Sequence, residues 1–204
     1  AYLEGYVPAE EAEHEAAEAA RHGWGYLLRD PAPDERVPTL IRRPRWAKPI
    51  KAVFDMINLT PGYREVDISA MFLVFFSLFY GMLVGDAGYG LIFLGLTALL
   101  KWRWKKLPGE AVGILVITSA ATIVWGVLTG TYFGIDALPG PLRALRLEWL
   151  TDNNHVMAFC FFVGALHLSL AHGWRAWRMR RSLQALAQLG WVGSTWCMFL
   201  IALH

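Results

Sequence analysis

The chain is poor in cysteine and in charge. Its two cysteines, Cys160 and Cys197, exclude a disulfide framework, and no CxxC pair is present to hold a metal. Both lie in apolar runs, where a thiol behaves as a small hydrophobe. The sequence contains no GxxxxGK[ST] loop to cradle a nucleotide phosphate, no Ser/His/Asp arrangement of readable spacing, and no cofactor signature. Charged residues are only 18% of the chain and balance to +2, which gives no footing for a nucleic-acid partner. The chain starts at Ala1, with no methionine and no signal peptide, so we expect a processed chain or a piece of a longer one.

What is abundant is hydrophobic: 55% of the residues, gathered into runs over 72–100, 111–134, 156–174 and 183–203. Runs of this length read as membrane segments, and the expected fold is a polytopic, mainly α bundle. The first run is broken at its centre by Gly85-Asp86-Ala87-Gly88-Tyr89-Gly90. A carboxylate inside an apolar stretch faces protein or water, or sits where the chain turns.

Charge placement decides how often the chain crosses. Basic clusters stand at Arg42, Arg43, Arg45, Lys48 and Lys51, at Lys101 to Lys106, and at Arg175, Arg178, Arg180 and Arg181. If residues 72–100 formed one span, these clusters would fall on opposite sides. A hairpin turning at Gly85, Asp86, Gly88 and Gly90 puts all three on one side, the cytoplasm by the positive-inside rule. Glycine takes positive φ and Asp bonds its own backbone, as a tight reversal needs. Each leg holds only about 13–16 strongly apolar residues, short of the roughly 20 that span, so snorkelling lysines must cover the difference. This gives five crossings (69–84, 88–104, 110–134, 154–174, 183–203), with the loop 135–153 outside. An odd number suggests a truncated subunit.

Ahead of the membrane domain, residues 1–30 read as the end of a cytosolic α/β lobe. Tyr2 to Val7 alternate like a short strand, Pro8 opens a helix, and Gly23 ends it after Arg21 and His22. His14 and His22 lack a third ligand nearby, and a solvated helix face explains them. Residues 31–68 read as a linker and basic juxtamembrane segment. That segment, with Trp46 in it, is either a lipid-headgroup or anionic-partner site or a topology signal, and the last explains it with less.

Within the runs, Trp102, Trp104, Trp149, Trp174 and Trp177 fall at span ends, as an interfacial belt does. Small residues at Gly113, Ser119, Gly126, Gly130, Gly164, Gly190 and Gly193 permit close helix packing, with Gly126 and Gly130 at GxxxG spacing. Asp86 and His167 are the candidates for an ion path. Against this stands a turn-capping Asp86 bonded to the N–H groups of Gly88 and Tyr89, and an interhelical packing bond for His167. His172 reaches the interface, His155 sits in a helix start, and Glu110 occupies a first turn.

Several stretches, in order, resemble membrane subunit a (subunit I in prokaryotes) of rotary V-type and V/A-type ATPases. They are Glu4-Gly5-Tyr6-Val7-Pro8, Val37-Pro38-Thr39, Pro61-Gly62-Tyr63-Arg64-Glu65-Val66-Asp67, and Phe75-Phe76 with Tyr80 through Gly90. Gly130-Thr131-Tyr132-Phe133-Gly134 and Gly164-Ala165-Leu166-His167 continue the series. The resemblance implies a stator subunit that moves protons against a proteolipid ring through two half-channels and anchors peripheral stalks by its cytosolic arm. It also implies that the signature segment is a helical hairpin. The family's essential arginine lies on a later tilted helix; no Arg lies inside a span here, and the chain ends at His204. Ion translocation by this chain alone is therefore not expected. The alternatives are a truncated, non-conducting membrane anchor, or a broken-helix transporter, which would need a matching interrupted segment in its second half.

Overall fold

The computed structural model describes residues 2–32, 34–63, 65–135 and 139–203. Pro33 of the linker, Arg64 of the Pro-x-Tyr-x-Glu stretch, residues 136–138 of the long loop and the terminal His204 lie outside the described residues. The chain divides into two units, Ala1–Ala70 and Met71–His204.

In the first unit, a 3-10 turn, Ala9–Glu11, leads from Pro8 into helix α1, Ala12–Arg21. The helix stops where Gly23 takes φ +66°. There Trp24 N–H bonds the carbonyl of Ala19 and Gly23 N–H that of Ala20, a Schellman closure that satisfies the last carbonyls. The expected strand is a correction. No strand occurs among the described residues, and Tyr2 to Val7 run without regular structure. A strand needs a ladder partner, and none of the described residues supplies one. Tyr6 is instead tied down by its side chain. Its hydroxyl donates to Glu35 at 2.7 Å, where Arg29 (2.9 Å) and the Ala32 N–H (2.9 Å) also converge. These donors, Arg29 foremost, hold the Glu35 carboxyl down to about 2.

Within the basic juxtamembrane stretch the chain is helical. A 3-10 helix, Arg45–Ile50, passes into α2, Lys51–Met56, burying Ala47, Ile50, Val53 and Phe54 on one face. The sequence reading saw only the charges there, because the apolar set is short and Pro49 interrupts it.

Helix α3, Ser69–Val84, opens the apolar region. Ser69 is fully buried and fully bonded: Asp67 Oδ1 accepts from its N–H at 2.9 Å and from its hydroxyl, which in turn accepts from Arg43 Nε at 2.6 Å. Helix α4, Ala87–Arg103, follows after a two-residue break, and the pair bends there by 120°. At 1.5 Å per residue, α3 and α4 are each about 25 Å long, less than a roughly 30 Å hydrocarbon core. Helices α5 (Gly109–Thr129), α7 (Asn153–Arg178) and α8 (Gln184–Ala202) are each long and apolar enough to cross a membrane. The α3–α4 pair meets the same criterion only when taken together, as a broken span or a re-entrant loop. The described chain is thus all-helical, with three to four membrane-capable segments.

The long helices are punctuated by local chemistry. Glu110 stands in the first turn of α5, and Asp152 Oδ1 caps α7 through the Asn154 N–H at 2.8 Å. Lys101 and Arg103 close α4, and Arg175 and Arg178 close α7, as the helix dipole favours. The apolar run of α5 continues to residue 134, yet the helix ends at Thr129 because Gly130 turns left-handed, φ +75°. A short helix, α6 (Gly140–Ala144), lies in the loop before α7. Helix α4 packs chiefly on α5, and α7 on α8.

Candidate functional site: the Asp86 turn

The α3–α4 break puts Gly85 at φ +68° and leaves Asp86 extended, at φ −136°, ψ 121°, as the N-cap of α4. One carboxylate oxygen, Oδ1, accepts from the N–H groups of Gly88 (2.7 Å) and Tyr89 (3.1 Å), two of the donors that a helix start leaves unpaired. The other, Oδ2, accepts from the N–H of Phe133 at 2.7 Å. Ala87 N–H donates to the carbonyl of Thr131 at 2.9 Å. Asp86 is only 6% exposed, so its two oxygens hold three backbone donors inside the protein.

The far side of this knot is the end of α5. Gly130 N–H bonds the Val127 carbonyl and Thr131 N–H that of Gly126, a second Schellman closure. It aims residues 131–133 back at the α3–α4 turn. Phe133 is left at φ +53°, a conformation uncommon for a bulky side chain, and its ring lies edge-on to Tyr89 with centroids 5.4 Å apart.

Two glycines make the approach possible. A Cβ on Gly126 would lie 2.0 Å from Ala87 N, and one on Gly88 would lie 2.4 Å from the Phe133 ring. Gly90 and Gly81 play a similar part further along: a Cβ on Gly90 would meet Ile123, and one on Gly81 the backbone of Ala121, each inside 3 Å. One polar atom is left out. Tyr132 Oη is buried with no hydrogen-bond partner among the described residues.

The other candidates lie elsewhere. His167, on α7, packs its ring against Phe75 (4.4 Å between centroids) and Phe79 (5.7 Å) of α3. The structure does not bring Asp86 and His167 together into one polar cluster. Gly130 serves as the α5 cap, with the Arg146 side chain against it, and at Gly164 a Cβ would meet nothing within 4 Å. His172 Nδ1 pairs with Gln188 Oε1 at 2.8 Å, and His155 Nδ1 with the Trp149 carbonyl at 3.0 Å. The sequence reading missed Phe133 and Thr131 as partners of the turn, since nothing in a Gly-Asp-x-Gly string names a contact 47 residues away.

No protein-family profile matches the chain. Comparison with individual proteins is decisive. The chain is 33% identical over 204 residues to V-type ATP synthase subunit I of Borreliella burgdorferi, which covers 94% of this chain and 33% of the relative. It is 34% identical over 218 residues to V-type ATP synthase subunit I 1 of Treponema pallidum, covering 100% of this chain and 35% of the relative. This chain is a homologue of V/A-type ATP synthase subunit I. A-type ATP synthase subunit I of Methanocaldococcus jannaschii extends the relationship to archaea, at 30% identity over 204 residues, 82% of this chain and 29% of the relative. The homologue spans about one third of the length of these relatives.

Proposed function

We propose that the chain is part of the stator membrane subunit of a rotary V/A-type ATPase or ATP synthase, working with a proteolipid ring and peripheral-stalk subunits. The observation that carries this reading is homology to subunit I along nearly the whole chain. In this reading α3 and α4 both enter the bilayer as a splayed hairpin, the three basic clusters face the cytoplasm, and five helices cross. The glycine-flanked Asp86 then acts as the fastener between that hairpin and the exit of α5, because its carboxylate accepts from three backbone donors drawn from both. A carboxylate that accepts from three backbone N–H groups is committed to holding the turn. His167, wedged between phenyl rings, serves helix packing.

Arginines in the membrane-capable helices stand in last turns, Arg103 in α4 and Arg175 and Arg178 in α7. None is at mid-span, so the chain's contribution to ion translocation is to support the half-channels rather than to engage the ring carboxylates. The test is affinity purification of the natively tagged subunit from its source membranes, with its partners identified by mass spectrometry. Recovery with proteolipid and stalk subunits supports the assignment. Recovery of a membrane-bound chain with neither would favour a non-conducting anchor and end the rotary reading.

A further inference from the structure

The juxtamembrane cations do not all do the same work. Arg42 pairs with Glu10 and Glu11 of the N-terminal helical segment. Arg43 bonds Ser69 and lies 5.6 Å from the centroid of the Phe54 ring, and Lys51 pairs with Asp55 at 2.5 Å. Arg45 and Lys48 are exposed and make no ion pair among the described residues. Between them in sequence stands Trp46, 55% exposed. Ala47, Ile50, Val53 and Phe54 are already buried, so what this segment leaves exposed is two cations with no ion pair among the described residues and a Trp between them in sequence.

The Arg43–Ser69 bond ties the basic segment to the residue at which the first apolar helix, α3, starts. At the mouth of a membrane helix, unpaired Arg and Lys beside Trp match the phosphate layer of an anionic leaflet, where Trp settles at headgroup depth. We propose that Arg45 and Lys48, with Trp46, form a docking surface for the headgroups of anionic lipids. This rests on the reading of α3 as a helix that enters the bilayer, and not on the rotary assignment.

Native mass spectrometry of the full chain in detergent, titrated with phosphatidylglycerol and with phosphatidylcholine, tests it. The expected result is a preference for phosphatidylglycerol that falls roughly ten- to thirty-fold in R45Q/K48Q and survives in the charge-conserving R45K/K48R. The K105Q/K106Q variant removes the same charge from another basic cluster and should keep the preference. An unchanged preference in R45Q/K48Q, or equal losses in both glutamine pairs, would overturn the site. The premise is read separately: V74C in a C160S/C197S background, in liposomes, should resist a membrane-impermeant maleimide. Labelling there would remove α3 from the bilayer whatever the lipid titration gives.

Discussion

The α4–α5 contact and the α7–α8 contact join helices of similar composition in opposite ways. The first is built from backbone. Gly126 backs onto Ala87, Gly90 onto Ile123, and the loop after α5 closes on Asp86 through main-chain N–H and C=O groups. The second is built from side chains. His172 pairs with Gln188 and Trp196 Nε1 donates to Ser169 Oγ at 2.9 Å, while Gly164, Gly173, Gly190 and Gly193 have nothing within 4 Å of a Cβ position. Gly90 and Gly126 therefore mark contact in one pair, while Gly164, Gly173, Gly190 and Gly193 mark open surface in the other. A pair held by backbone proximity tolerates no added atom; a pair held by side-chain bonds can lose one of them and stay packed.

The largest expected effect breaks the first pair. Gly126→Val would place Cβ 2.0 Å from Ala87 N, against main chain that cannot swing aside. We expect a loss of about 3 kcal/mol or more, or failure to fold, in reversible unfolding from mixed micelles. Gly164→Ala, which meets open space, should hold or gain a few tenths of a kcal/mol through helix propensity, at most about 1. Equal losses at the two positions would refute the contrast.

Next comes the carboxylate. Asp86→Ala strips three backbone N–H groups of their acceptor in a site excluded from solvent. We expect a cost of about 2–4 kcal/mol. Asp86→Asn keeps one acceptor oxygen and should cost less, since only one side of the knot then faces an amide donor. Assayed in the assembled complex, Asp86→Asn also separates the two roles. Reduced assembly fits the fastener, whereas intact assembly with reduced ion pumping would restore Asp86 to the ion path.

A smaller effect should run the other way. Tyr132→Phe removes a buried hydroxyl that has no partner among the described residues, so the unpaired group no longer has to be desolvated. A gain of about 1 kcal/mol is expected. A loss would mean that the hydroxyl is bonded to a group outside the described residues.

The two pairs also differ in how much of them the sequence discloses. The break at Gly85-Asp86 and the Oδ1 bonds to Gly88 and Tyr89 are legible because they are local, set by a capping residue and the turn that follows it. The Oδ2 bond to Phe133 is not, since it depends on α5 ending at Gly130, inside an apolar run that gives no sign of stopping there. Gly126 and Gly164 are the same letter in similar surroundings, and only the neighbouring helix separates them. In the first unit, alternation over Tyr2 to Val7 suggested a strand, but alternation describes a face and cannot provide the partner that makes a ladder. The helix Lys51–Met56 escaped notice because its buried set is short and its charges conspicuous.

The smallest effect tests the second pair directly. His172 and Gln188 meet at 2.8 Å between α7 and α8, only partly buried, and the same helices share the Trp196–Ser169 bond. A hydrogen bond between membrane helices is worth only about 0.6 kcal/mol on average, because each partner finds substitutes when the helices part. In a double-mutant cycle over His172→Ala and Gln188→Ala, the coupling should therefore fall near that value. Stacking of His172 on Trp191, with centroids 6.1 Å apart, will appear in the His172 single variant and cancel from the cycle as long as Gln188→Ala leaves the ring in place. A coupling of 2 kcal/mol or more would mean that this pair, too, is fastened at one point, and the distinction between a backbone-built and a side-chain-built contact would collapse.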